Sequence, residues 1–140
     1  MSGTGEGLMA VAMTRDEARV WTTGVEPDTR PESIHAPSDM ERHHHIRGVQ
    51  RHHGHEVDHD ASAYYESIVR ALDGASGIVL IGHGTGKADE MLRFVQYLER
   101  KHPGVAERVL GAIDSDVSAL SANEVLALVR EWFDHYKSLH

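Results

Sequence analysis

The stretch Gly77-Ile78-Val79-Leu80-Ile81-Gly82-His83-Gly84-Thr85-Gly86-Lys87 decides the fold class. Ile78 to Ile81 is an unbroken apolar run between glycines, the pattern of a short strand covered on both faces and therefore central in a sheet. The loop Gly82 to Gly86 leads into a helix predicted from about Lys87 to Lys101, with Met91, Leu92, Val95 and Leu98 inward and Pro103-Gly104 beyond its end. Arg108 to Ile113 supplies the next strand, so a right-handed parallel crossover is expected. Ser121-Ala122-Asn123-Glu124 reads as a capping box opening a last helix, in which Val125, Leu128, Val129, Trp132 and Tyr136 recur. The stripe Trp132, Phe133 and Tyr136 is most simply core packing, with part of it available for a dimer contact.

Upstream, Asp60 is a plausible N-cap for a helix through Leu72, with Tyr65, Ile68, Val69 and Leu72 at helical spacing. From Met40 through His59 there is no apolar periodicity, and residues 40–60 are expected to form a long, mobile, His-rich loop. Glu26 to Asp39 contains Pro27, Pro31 and Pro37 and reads mainly as loop, with room for one short edge strand around Ile34 and His35. Leu8 to Met13 and Ala18 to Thr23 are β-prone runs joined by the polar Thr14-Arg15-Asp16-Glu17, an antiparallel hairpin. Residues 1–7 are small, polar and Gly-rich, a flexible N-terminus. The sum is a single three-layer α/β domain spanning residues 1–140.

Composition narrows the function classes. The chain of 140 residues has no cysteine, which excludes disulfides, thiolate nucleophiles and Cys-type zinc sites. It contains neither an apolar run of about 18 residues nor a basic-then-apolar leader, so a cytoplasmic protein without a membrane partner is expected. A formal charge of -8 disfavours broad nucleic-acid affinity, DNA included. The charge is unevenly spread: Arg42 to His55 holds three arginines, six histidines and no acid. Protonating all 12 histidines would move the formal charge from -8 to +4, so binding through this stretch should depend on pH.

Three pieces taken together carry a family resemblance. They are the hairpin turn with Arg15, Glu17 and Ala18, the strand, loop and helix around Gly82-His83-Gly84-Thr85-Gly86-Lys87, and the strand ending Leu110-Gly111-Ala112-Ile113-Asp114. In this order, with a long loop after the hairpin, the chain resembles the central domain of archaeal and eukaryotic class-one peptide release factors and Pelota, and the bacterial release-factor-like translational machinery proteins. The resemblance implies a ribonuclease H-like fold, a mixed five-stranded sheet with helices on both faces. It also implies that the long loop reaches the ribosomal peptidyl transferase centre, where the family's Gly-Gly-Gln promotes peptidyl-tRNA hydrolysis.

At that place this chain reads Gly48-Val49-Gln50. Gln50 and Gly48 match the family motif, and are the catalytic candidates. Val49 stands where the family has its second glycine, and a β-branched residue disfavours φ > 0. The expectation is therefore a non-catalytic ribosome-binding, protective or rescue factor, with Arg42, Arg47, Arg51 and Lys87 as contacts to rRNA or tRNA phosphates. The alternatives are a peptidyl-tRNA hydrolase acting through Gln50, and a metal- or pH-sensing protein.

Other motifs weigh less. Gly82, Gly84 and Gly86 with Lys87 resemble a P-loop, but only three residues separate Gly82 from Gly86-Lys87 and Ala88 follows, where four and a Ser or Thr are needed. Exposed N–H groups ahead of a helix still suit an anion. For metal, His43, His45, His53, His55 and Asp58 are the candidate ligands, but the histidines are largely adjacent rather than spaced along a rigid element, and no cofactor is expected. A two-metal nuclease would need acids on the first strand, and Leu8 to Met13 has none beside the pair Asp114 and Asp116.

Overall fold

The computed structural model of the chain describes residues 7–36, 53–82 and 90–139, with side chains of the second stretch from Ser62 onward. Five strands form one sheet: β1 (Leu8–Met13), β2 (Glu17–Trp21), β3 (Glu32–His35), β4 (Gly77–Gly82) and β5 (Val109–Asp114), in the order β3-β2-β1-β4-β5. β1 is parallel to β4, and β4 to β5, while β2 runs antiparallel to both of its neighbours. Every residue of β1 and β4 is buried, as the unbroken apolar runs require.

The alternation of side chains divides the core in two. Met9, Val11, Met13, Ala18, Val20, Ile78 and Leu80 face helices α1 (His53–Ala71) and α2 (Glu90–Lys101), which contribute Tyr64, Tyr65, Ile68, Leu72, Phe94 and Leu98. Leu8, Ala10, Ala12, Trp21, Val79 and Ile81 face helix α4 (Ala122–Leu139), which contributes Val125, Leu126 and Val129. Each fully buried large side chain is worth about 1.5–3 kcal/mol, so the sheet is held from both faces. The three-layer α/β domain, with its five-stranded mixed sheet, is as expected.

A bulge tunes the second half of the sheet. Ile78 pairs with Val109 and Val79 with Gly111, leaving Leu110 as the extra residue of β5. Gly111 must be small, because a Cβ there would lie 2.3 Å from Cζ2 of Trp132 on α4. The capping box opens α4 as expected: Ser121 N donates to Glu124 Oε1 at 2.7 Å, and Glu124 N to Ser121 Oγ at 3.1 Å. Asn123 also binds the β2–β3 connection, accepting from Asp28 N at 2.8 Å and donating to Asp28 Oδ1 at 2.9 Å.

Several expectations change. α1 begins at His53, not after Asp60, so the stretch 53–60 assigned to a mobile loop is helical. Its sequence has no apolar stripe, so periodicity is blind to it, while Glu56, Asp58 and Asp60 suit the positive end of a helix dipole. On α2, Leu92 is 50% exposed, and Phe94 and Tyr97 are buried in its place beside Met91 and Leu98. The inward stripe is set by the 91, 94, 98 spacing, one position away from the one expected. A short helix α3 (Pro103–Ala106) follows where only a stop was expected, with proline in its favoured first turn. β3 is an edge strand of four residues, slightly longer than the Ile34 and His35 core. Gly7 accepts from Ser76 N at 2.9 Å at the head of β1, while residues 1–6 lie outside the described residues.

Candidate functional site

The three parallel strands deliver their carboxyl ends, Met13, Gly82 and Asp114, to one end of the sheet, the usual ligand side of an open α/β sheet. A cleft of about 460 Å³ opens there, lined by Met13, Thr14, Arg15, Asp16, Glu90, Asp116, Val117 and Ser118. A second of about 370 Å³ adjoins it along Ala12, Glu17, Arg19 and Leu120.

Local hydrogen bonding explains the shape. In the β1–β2 turn, Thr14 Oγ1 accepts from Asp16 N at 3.2 Å and Glu17 N at 3.1 Å, and Thr14 N donates to Glu17 O at 2.8 Å. This tight turn leaves Arg15 and Asp16 exposed. Opposite, Asp116 Oδ1 accepts from Ser118 N at 3.2 Å and Ser118 Oγ at 2.6 Å, starting the 3-10 turn Val117–Ala119. Arg19 joins the two walls, donating to Val117 O at 3.3 Å while its guanidinium lies 5.6 Å from the Trp21 ring. At the end of β4, Gly82 packs closely on β1, since a Cβ there would lie 2.9 Å from Met13 O. Ser115 N donates to Gly82 O at 2.9 Å and carries the chain off β5.

Two tyrosines of α1 close the site from the helical side. Tyr64 Oη donates to Thr14 O at 2.9 Å, and Tyr65 Oη donates to Glu90, which is only 8% exposed. Burial, and then the charge of Glu90, pushes the Tyr64 hydroxyl upward; burial, followed by the Glu90 hydrogen bond, does the same for Tyr65. Both phenols therefore remain proton donors throughout the neutral range. The cleft thus carries an acidic rim, Asp16, Glu17, Glu90 and Asp116, with Arg15 as an exposed cation on the turn. Among the described residues, no group of three or more His, Cys, Asp or Glu is arranged to hold a metal ion. The one described hydroxyl on the far wall, Ser118, is committed to Asp116.

Of the residues singled out in the sequence, Gly82 lies at the end of β4 and its smallness is required by packing. Arg42, His43, His45, Arg47, Gly48, Gln50 and Arg51 lie outside the described residues, as do Gly84, Gly86 and Lys87. His53, His55 and Asp58 lie on α1, where the helix is described but their side chains are not. The described chain places the residues on either side of 37–52. Ala36 N donates to Asp16 O at 2.8 Å, placing the exit from β3 beside the β1–β2 turn. α1 passes that turn at Tyr64, and His53 lies about 16 Å further along its axis at 1.5 Å per residue.

Sequence reasoning missed Thr14, Tyr64 and Glu90. A signal existed for Glu90 alone: an acid in the first turn of a strongly amphipathic helix, one residue before the inward Met91. Among the described residues, no helix is long and apolar enough to cross a membrane. Compared with models of known protein families and with curated proteins, the chain matches none.

Proposed function

We propose that this chain is a cytoplasmic, ribosome-associated factor similar to the release-factor central domain, acting by binding rather than by hydrolysis. One observation carries the reading. The described chain reaches Ala36 beside the β1–β2 turn and resumes at His53 on α1, which runs past the same turn, and the cationic sequence from Arg42 to His55 falls largely between those two points. Arg15, at that turn, stands at the same end of the sheet. Within an otherwise acidic chain, Arg42 to His55 holds three arginines, six histidines and no acid, the kind of local cationic segment that engages a phosphate-rich site. The mixed sheet and its long connection after β3 agree with the resemblance.

In this reading Arg42, Arg47 and Arg51 contact RNA phosphates and Gln50 occupies the tip. Co-sedimentation with ribosomes at low salt is expected, weakening as salt rises because counterions are released on binding. Replacing both Arg47 and Arg51 by alanine should weaken binding by roughly tenfold or more, at about 1.5–3 kcal/mol per charge-assisted contact before salt screening. Free protein at low salt would sink the proposal. The second reading, peptidyl-tRNA hydrolysis, is favoured by Gln50 standing two residues after Gly48. A release assay on stalled ribosomes decides it: peptide freed by the native chain and not by Gln50→Ala supports hydrolysis, and no release by the native chain removes it.

A further inference from the structure

One cluster of titratable side chains lies apart from the cleft. Glu66 and His102 line neither of its two parts. His102 Nε2 sits 2.6 Å from Glu66 Oε2, and Tyr97 Oη donates to the same oxygen. These hydrogen bonds hold the Glu66 carboxyl below its ordinary range, so at neutral pH it is ionised and can only accept. The ring nitrogen that faces it therefore carries a proton. In the neutral imidazole this fixes the tautomer, with hydrogen on Nε2 and the lone pair on Nδ1.

That lone pair is open to solvent. The His102 side chain is 30% exposed, its bond to Glu66 runs through Nε2, and no buried side-chain nitrogen among the described residues goes without a partner. The residue is also firmly mounted. His102 N donates to Leu98 O at 2.7 Å, and His102 O accepts from Val105 N at 2.9 Å and Ala106 N at 3.0 Å, while Pro103 restricts the backbone that precedes it. The Tyr97 ring packs 5.9 Å from the imidazole, and the Arg100 guanidinium lies 6.0 Å from that ring in turn. Arg100 and Lys101 form the last turn of α2, and Arg70, in the last turn of α1, acts on the Glu66 carboxyl.

A nucleophilic imidazole needs a lone pair facing outward, a counter-charge for the cation that attack creates, and donors for the group it accepts. All three meet at this corner. We propose that His102 is a phosphoryl acceptor, modified at Nδ1 by a small activated phosphate compound, with Glu66 as its positioning residue. With phosphoramidate as the donor, a bond forms from Nδ1 to phosphorus, the P–N bond breaks, and its electron pair leaves with ammonia. The ring keeps its Nε2 proton and becomes a phosphoimidazolium whose positive charge faces Glu66. Arg100 and Lys101 stand beside it as donors to the new phosphoryl oxygens. The site is independent of the proposed ribosome binding.

The whole chain incubated with phosphoramidate at about pH 8, where ordinary imidazoles are neutral, tests this. Peptide mass spectrometry locates the phosphohistidines, and phosphorus NMR reads the isomer. His102 should be labelled at least about tenfold faster than the average of the other histidines, and at Nδ1, because a carboxylate-oriented imidazole is the better nucleophile. Glu66→Gln keeps the shape and removes the counter-charge. It should slow labelling of His102 at least about tenfold, the size of one charge-assisted hydrogen bond, and leave the rates of the other histidines unchanged. The proposal is overturned by labelling of His102 no faster than the rest, by modification at Nε2, or by a His102 rate indifferent to Glu66→Gln. The first two outcomes are read on the native chain and do not depend on the variant folding.

Discussion

Tyr65 and Glu90 show how a single hydroxyl can decide whether a carboxyl group is tolerable in a core. Glu90 is 8% exposed and accepts a hydrogen bond from Tyr65 Oη, whose ring also packs 5.4 Å from Phe94 and 5.2 Å from Tyr97. Removing the hydroxyl in Tyr65→Phe preserves the ring packing and takes away that donor, so the expected loss is about 1–3 kcal/mol of folding stability. Glu90→Gln keeps an acceptor for Tyr65 and removes the buried charge, so it should cost less. Urea unfolding of the two variants checks both statements, and equal stability of Tyr65→Phe and the native chain would refute the first. Helical spacing made the burial of Tyr65 legible in the sequence. Its partner was not, because Glu90 lies 25 residues away on another helix and only the packing of α1 against α2 brings them together.

Between elements, α1 and α2 are joined at their surface by a second carboxylate. Glu66 accepts from Tyr97 Oη and sits 2.6 Å from His102 Nε2, while the Arg100 guanidinium lies 6.0 Å from the Tyr97 ring. The hydrogen bonds from His102 and then Tyr97 hold the Glu66 carboxyl below its ordinary value of 4.5. Burial, then the bond to Glu66, raises Tyr97 from 10.0 to about 12. A depressed carboxyl contributes stability that is present above its unfolded value and lost as pH falls through the folded one. Acid unfolding should therefore steepen below about pH 4.5, and Glu66→Gln should flatten that arm while leaving the neutral-pH slope alone. Superimposable acid arms for the two proteins would remove Glu66 from the account; because the group is partly solvated, the effect is expected to be small. Element by element, legibility followed how much apolar surface each buries. β1, β4 and the capping box of α4 announced themselves through apolar runs and Ser121 with Glu124. The first two turns of α1 did not, since His53 to Asp60 offers no apolar repeat to read. On α2 the repeat was found but assigned to Leu92 rather than Phe94, an error of about one residue in helical phase that only the sheet beneath could correct.

At the scale of the whole molecule the governing quantity is charge and where it is attached. The chain carries 14 basic and 22 acidic residues, yet Arg42 to His55 contains no acid; the described residues around it are Ala36, beside the β1–β2 turn, and α1 from His53. On the ribosome-binding reading proposed above, the acidic remainder would repel a polyanion at long range and the local cluster would attract it at short range. These terms respond differently to pH. Imidazoles have an ordinary value of about 6.5, so lowering pH from about 8 to 5.5 adds charge mainly where the histidines are densest, while the carboxylates remain ionised. Affinity for ribosomes or for a simple RNA duplex should therefore rise over this interval at constant ionic strength. The salt dependence should steepen with it, because each imidazolium engaged on a phosphate releases a further counterion. Replacing His43, His44 and His45 together by asparagine should flatten the pH dependence and leave binding at the upper end, where the arginines act alone, nearly unchanged. Fluorescence anisotropy with labelled RNA at matched salt gives both quantities. Affinity that stays level from about pH 8 to 5.5, or a rise that survives the triple replacement unchanged, would show that these histidines do not set the charge of the binding tip.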